Sequence, residues 1–343
     1  MNISIKTNNG LLRKDLRLMT RLFLAVTLFL VSSCSEHDKN SSEKVPNINV
    51  NTEKIDSPSL IVLGNVQDAG SPHMGCKKDC CKDLFENPDK NRMVVSLGLV
   101  DPLNKGCWMI EASPDFPRQA KMLKSYCPFN DKETPDGIFL THAHIGHYIG
   151  LMYLGKEAMN ADQVPIYAMT RMKGFLIQNG PWSQLFKINN IRINNIDDQE
   201  TVELSSNLNI TPFLVPHRDE YSETVGYHIQ GPNKSALFIP DIDKWSKWNL
   251  SIVDEIKNVD YAFIDATFYD AEEINNRDIS EIPHPFVIES MELFSEFSNV
   301  DKAKIYFIHL NHTNPLLNRD SPQAKLVMKN GFKIAQPKQI FKL

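Results

Sequence analysis

Apolar positions along the chain fall into short runs cut by polar or Gly/Pro-containing loops. Runs at 60–63, 93–100, 107–110, 137–141, 201–204, 209–215, 224–229 and 236–239 carry the β-branched and aromatic residues expected of strands. Helical spacing is sparser and predicts helices over 148–154, 170–178, 252–257, 287–297 and 323–329. In the last third these alternate with apolar strands at 261–265 and 304–309. A two-sheet core with helices outside is the simplest architecture that buries all of these faces.

The N-terminus follows a different pattern. Lys6, Arg13, Lys14, Arg17 and Arg21 precede an apolar run at 22–31, too short to span a bilayer, which takes about 20 residues. Small residues then lead to Cys34, in the order of a bacterial lipoprotein signal. The expectation is a signal peptide over 1–34, a polar tether over 35–57 and one folded domain over 58–343. The protein would then sit in the cell envelope, held to a membrane by lipid on Cys34.

Composition narrows the function classes. Lys+Arg is 37 against Asp+Glu 42, a net charge of −5, which argues against holding nucleic acid by charge. Apolar residues are 42%, enough for a globular core in a body of this length. A small-molecule substrate is the expected partner.

The sharpest chemistry is Thr141-His142-Ala143-His144-Ile145-Gly146-His147, at the end of an apolar strand. His142 and His144 share one side of an extended segment. His147 follows where the chain turns toward helix, and three imidazoles so placed suit Zn²⁺. His217, Asp241 and His309 each follow an apolar run, where a sheet hands side chains to a site.

This order resembles the metallo-β-lactamase superfamily, which implies a four-layer αββα sandwich with a metal site at one edge of its two sheets. Within it the chain is most similar to the pyrroloquinoline-quinone biosynthesis protein B family. The resemblance is carried by residues 63–65 through Cys76, Ala112-Ser113-Pro114-Asp115, Asp265-Ala266-Thr267-Phe268, Pro283-His284-Pro285 and residues 309–315. It implies His142, His144 and His217 around a first ion, His147 and His309 around a second, and Asp241 between them. Gly146 departs from the pattern, because the superfamily usually has Asp there. The second position is therefore expected to be short of a carboxylate, and Gly146→Asp to raise its occupancy.

An ion at this place would lower the pKa of a water to about 7. The expected activity is hydrolysis of a phosphodiester or ester-like bond, with Asp241 orienting the hydroxide and His284 as acid or oxyanion donor. The quinone-biosynthesis resemblance also implies an alternative, an Fe²⁺-dependent oxidative enzyme. A non-catalytic binding module on the same fold is the other alternative.

Cys76, Cys80 and Cys81 pack three thiols into six residues. Three thiolates and one His make a closed structural zinc set. The resemblance implies His312 as its fourth member, with His73 a substitute. Cys107 and Cys127 are left as a disulfide or two buried thiols. Asp265 is expected to support a His ring, Trp245 and Trp248 to wall a pocket or plug the core, and the acidic residues at 270–273 to form a solvated face.

Overall fold

Residues in continuous apolar runs are buried on both sides because alternate side chains serve different layers. In β1 (Ser59–Gly64), Leu60 and Val62 enter the cluster between the two sheets, whereas Ile61 and Leu63 enter the cluster beneath the outer helices. β10 (Ser235–Ile239) does the same in the second sheet. Ala236 and Phe238 face the inter-sheet core, and Leu237 and Ile239 face the helices of the other flank. Three apolar layers between four structural layers follow directly. The computed structural model describes residues 54–275 and 278–343. The leader, Cys34 and most of the tether lie outside the described residues. Among the described residues no helix is long and apolar enough to cross a membrane.

The first sheet runs β14 (Ile340–Lys342), β1, β2 (Ser96–Asp101), β3 (Gly106–Ile110), β4 (Gly137–Phe139), β5 (Val164–Ala168) and β6 (Ile191–Asn195). The second runs β13 (Lys333–Ile334), β12 (Ile305–Ile308), β11 (Tyr261–Asp265), β10, β9 (Val225–Gln230), β8 (Leu208–Leu214) and β7 (Val202–Ser205). β3 to β6 are parallel, as are β10 to β13. Parallel strands end at one edge, so the residues after β4, β10, β11 and β12 emerge side by side. There stand His142, Asp241 and His309, just past their strands, and Asp265, the last residue of β11 itself.

Several expectations change. The helix Phe116–Tyr126 and strands β5 and β6 were not anticipated, and the expected helix over 287–297 ends at Leu293. Cys107 and Cys127 are joined in a disulfide. Trp245 and Trp248 belong to the outer core, their indole N–H groups donating to Ser290 Oγ and the Leu214 carbonyl. Glu273 is not part of a solvated face: it accepts from the Tyr269 N–H, Asn311 Nδ2 and Thr313 Oγ1.

Candidate metal centre

The segment after β4 is held on both sides, with the Leu140 N–H donating to the Tyr167 carbonyl and the Val225 N–H to that of Thr141. It presents His142 and His144 toward His217, which follows β8. His144 Nδ1 lies 3.2 Å from His217 Nε2. Asp241 Oδ1 lies 3.3 Å from His217 Nε2, and Oδ2 lies 3.4 Å from His142 Nε2. One ligand atom from each of these four residues falls within 4.8 Å of the other three. Ring nitrogens facing one another at 3.2 Å repel unless a proton or a cation lies between them.

A second group adjoins the first and shares Asp241. It contains His147, on the short helix Ile145–Tyr148, and His309, in a left-handed conformation (φ 64°) directly after β12. Its fourth member is Asp68, which the sequence did not suggest. Asp68 Oδ1 lies 2.8 Å from His147 Nε2 and 3.2 Å from His309 Nε2. The expected shortage of a carboxylate is thereby corrected. The expected benefit of Gly146→Asp is corrected too, because a Cβ at 146 would lie 2.4 Å from Asp68 Cα and 2.5 Å from its Oδ1.

A third cluster lies apart from these. Cys76, Cys81 and His312 bring ligand atoms within 4.8 Å of one another. Cys80 Sγ is 3.7 Å from Cys76 Sγ and 3.8 Å from Cys81 Sγ but falls outside that convergent set. Burial, then hydrogen bonds with both neighbours, push the Cys80 thiol up to about 12, whereas the Lys78 N–H brings Cys76 down against its burial. His73 stacks on His312 at 4.5 Å, its Nδ1 accepting from the Gly75 N–H. The cluster draws on the same two segments as the second rim group: Asp68 precedes the cysteines, and His309 lies three residues before His312.

Residues 108–310 match the family model for the beta-lactamase superfamily domain. The chain belongs to the β-lactamase superfamily. The match contains every rim donor except Asp68. Within the superfamily, the chain is 22% identical over 302 residues to coenzyme PQQ synthesis protein B of Xanthomonas axonopodis pv. citri, covering 80% of this chain and 97% of the relative. Its structure resembles Zn²⁺-bound PqqB from Methylobacterium extorquens (TM-score 0.64, 21% identity, 83% of this chain and 100% of the other). It also resembles a diphosphatase from the PhnP family (TM-score 0.57, 21% identity, 83% and 96%). These likenesses establish the metallo-β-lactamase fold.

In this superfamily member, His142, His144 and His309 have their outward nitrogen held by a hydrogen bond, which fixes the nitrogen facing the centre. His142 Nδ1 lies 2.8 Å from Thr141 Oγ1, which donates to Glu111 Oε1. Glu111 Oε1 is also 3.2 Å from His147 Nδ1. His144 Nε2 lies 3.1 Å from Glu220, and His309 Nδ1 lies 2.9 Å from Thr267 Oγ1. His142 Nε2 and Asp241 Oδ1, and the outward His147 Nδ1 and His217 Nδ1, are buried without a hydrogen-bond partner among the described residues. Inward nitrogens, a shared carboxylate and unpaired buried atoms suit a divalent cation. Glu111, fully buried at φ 75°, serves both groups through one oxygen. Glu111→Gln is expected to weaken rim metal binding about 10- to 100-fold, as measured by competition with a chromophoric chelator.

The electrostatics divide the two groups. Burial and the charge on His147 hold His142 well below the usual imidazole range, so it is neutral and ready to ligate. Burial opposes the charge on His147 and His309, but their carboxylates prevail. Asp68 and Glu111 raise His147 well above its usual range, and Asp241 with Asp265 and Asp68 raises His309 to about 9. Asp241 itself, despite burial, is held well below the carboxylate range by His217, His284 and His309. An ion entering the second group must therefore displace protons. Its affinity should fall as pH drops below 9, by about tenfold per pH unit for each proton displaced. Chelator competition at pH 9, 7.5 and 6 checks this.

His284 stands beside both groups. Its Nδ1 lies 2.9 Å from Asp265 Oδ2 and 3.2 Å from Asp241 Oδ1. Burial lowers its pKa, but the charges of Asp265 and Asp241 carry it up to about 10. It is thus an imidazolium at neutral pH, and Asp265 supports it as expected.

Proposed function

We propose that the protein is a metal-dependent hydrolase acting on a phosphodiester or ester-like bond of a small molecule. One observation carries the proposal: two donor groups share Asp241 next to a buried His284–Asp265 pair. His142, His144 and His217 would hold one ion, His147, His309 and Asp68 a second, with Asp241 common to both. An ion bound there supplies Lewis acidity and a nucleophilic water at neutral pH. Asp241 would orient that water and take its proton. His284, kept protonated by Asp265, gives its proton to the leaving oxygen. Cys76, Cys81 and His312, with Cys80 Sγ 3.7 and 3.8 Å from the two other sulfurs as the fourth donor, would hold a structural zinc.

The likeness to PQQ-synthesis proteins supports a second reading, a cofactor-maturation enzyme at the same donors, for which we infer oxidative chemistry with Fe²⁺ although the solved PqqB is Zn²⁺-bound. Elemental analysis after anaerobic purification, paired with a screen of phosphodiester and ester model substrates, separates the two. Bound zinc with turnover supports the hydrolase, and bound iron with O₂ uptake would end it.

The leader pattern supports a lipid anchor on Cys34 and a place in the cell envelope. Cys34→Ser is expected to move the protein from the membrane to the soluble fraction, as followed by fractionation and immunoblot.

A further inference from the structure

We propose that Asp68 is a metal ligand of the second rim group, and that Gly146 is glycine so that the chain carrying Asp68 can reach it. The inference rests on reading the rim as a metal centre.

The approach is built into the backbone. After β1 the chain is tied on two sides. The Asn65 and Val66 N–H groups donate to the Met93 carbonyl, and the Val95 N–H donates to that of Val66. On the other side the Gln67 N–H donates to the Leu310 carbonyl, and the Leu310 N–H donates to that of Asn65. Val66 thereby bridges both Val94 and Leu310. A turn follows, closed by the Gly70 N–H on the Gln67 carbonyl, with Gly70 in the left-handed region (φ 76°). Asp68 lies inside this turn, two residues beyond the bridge from Val66 to Leu310, the residue after His309. Its position beside His309 is therefore set by main-chain hydrogen bonds.

Gly146 closes the other side. A Cβ there would stand 2.4 Å from Asp68 Cα and 2.7 Å from Asp68 Cβ. Cα is a backbone atom of a doubly tied segment and cannot swing away as a long side chain would. A side chain at 146 and a carboxylate from 68 thus exclude each other. The chain uses the second arrangement, in which four donors, Asp68, His147, Asp241 and His309, converge.

The test uses the full chain loaded with excess Zn²⁺, desalted and analysed for metal, with circular dichroism to confirm folding. Asp68→Asn keeps shape but removes the anion, and should lose about one zinc equivalent. Its Co²⁺-substituted form should retain the absorption of the first group. Gly146→Ala should lose the same equivalent, and Gly146→Asp should gain none. Full zinc content in Asp68→Asn, with loss of rim zinc in His142→Ala, would overturn this inference and leave the metal-centre reading standing. No zinc loss in His142→Ala would overturn both.

Discussion

Asp241→Asn is expected to empty the rim and lower turnover by more than about 10²-fold. Groups that merely orient metal ligands cost 10- to 100-fold when removed, so a ligand shared by two donor groups should cost more. Asp241 is nearly inaccessible (2% exposed) and lies within 4 Å of His142, His144, His147, His217 and His284. An amide of the same shape leaves those rings without their common anion, and breaking a buried charge pair on one side typically costs 3–5 kcal/mol. Metal content by elemental analysis is the first readout. A second is independent of turnover. Asp241 raises both His284 and His309, so the variant should let both rings lose their protons at lower pH in NMR titrations of the metal-free chain. A variant that retains its ions and its turnover would exclude Asp241 from both groups.

His284→Gln should behave differently. Metal content should be unchanged, while kcat on substrates with a poor leaving group falls about 10²- to 10⁴-fold, the usual contribution of a positioned acid. Substrates with an activated leaving group, such as a nitrophenolate, need little proton donation and should lose far less. The pH dependence has a definite sign. The active form of His284 is protonated and its pKa is raised to about 10, so its contribution is present below that value and lost as pH rises through it. Commitment of Asp241 to an ion removes one of the two carboxylates that raise the pKa, which moves this alkaline limb downward. Asp265→Asn should move it further down while leaving the limb intact. Equal losses on both substrate types would mean that His284 has another task.

The imidazoles were legible because their signals are local. His142, His144 and His147 fall within six residues, and His217, Asp241 and His309 each follow an apolar run that became, or closely follows, a strand end. Asp68 was not legible: a single Asp in a loop carries no pattern, and its pairing with His147 spans 79 positions. The only trace was Gly146, a gap between two histidines whose meaning depends on what fills it. Glu111 was hidden for a related reason, since its partners Thr141 and His147 are set by tertiary approach and its strained φ leaves no sequence mark. The helix Phe116–Tyr126 was missed because its buried face includes Gln119, which bonds Ser113 Oγ and the Val94 carbonyl instead of packing as a hydrocarbon. β5 was masked by Pro165, which removes an N–H that a strand between two neighbours would ordinarily use. The acidic residues near 270 read as solvated because Asn311 and Thr313, which engage Glu273, lie some forty residues on.

The thiol cluster and the second rim group hang on one pair of strands of chain, 65–81 and 309–312. In the proposed thiol centre, oxidation of Cys76 or Cys81 would release His312 and loosen both lengths at once. Oxidative damage at a sulfur would then be felt as weaker grip on the ion beside Asp68 and His309, with every rim side chain chemically intact.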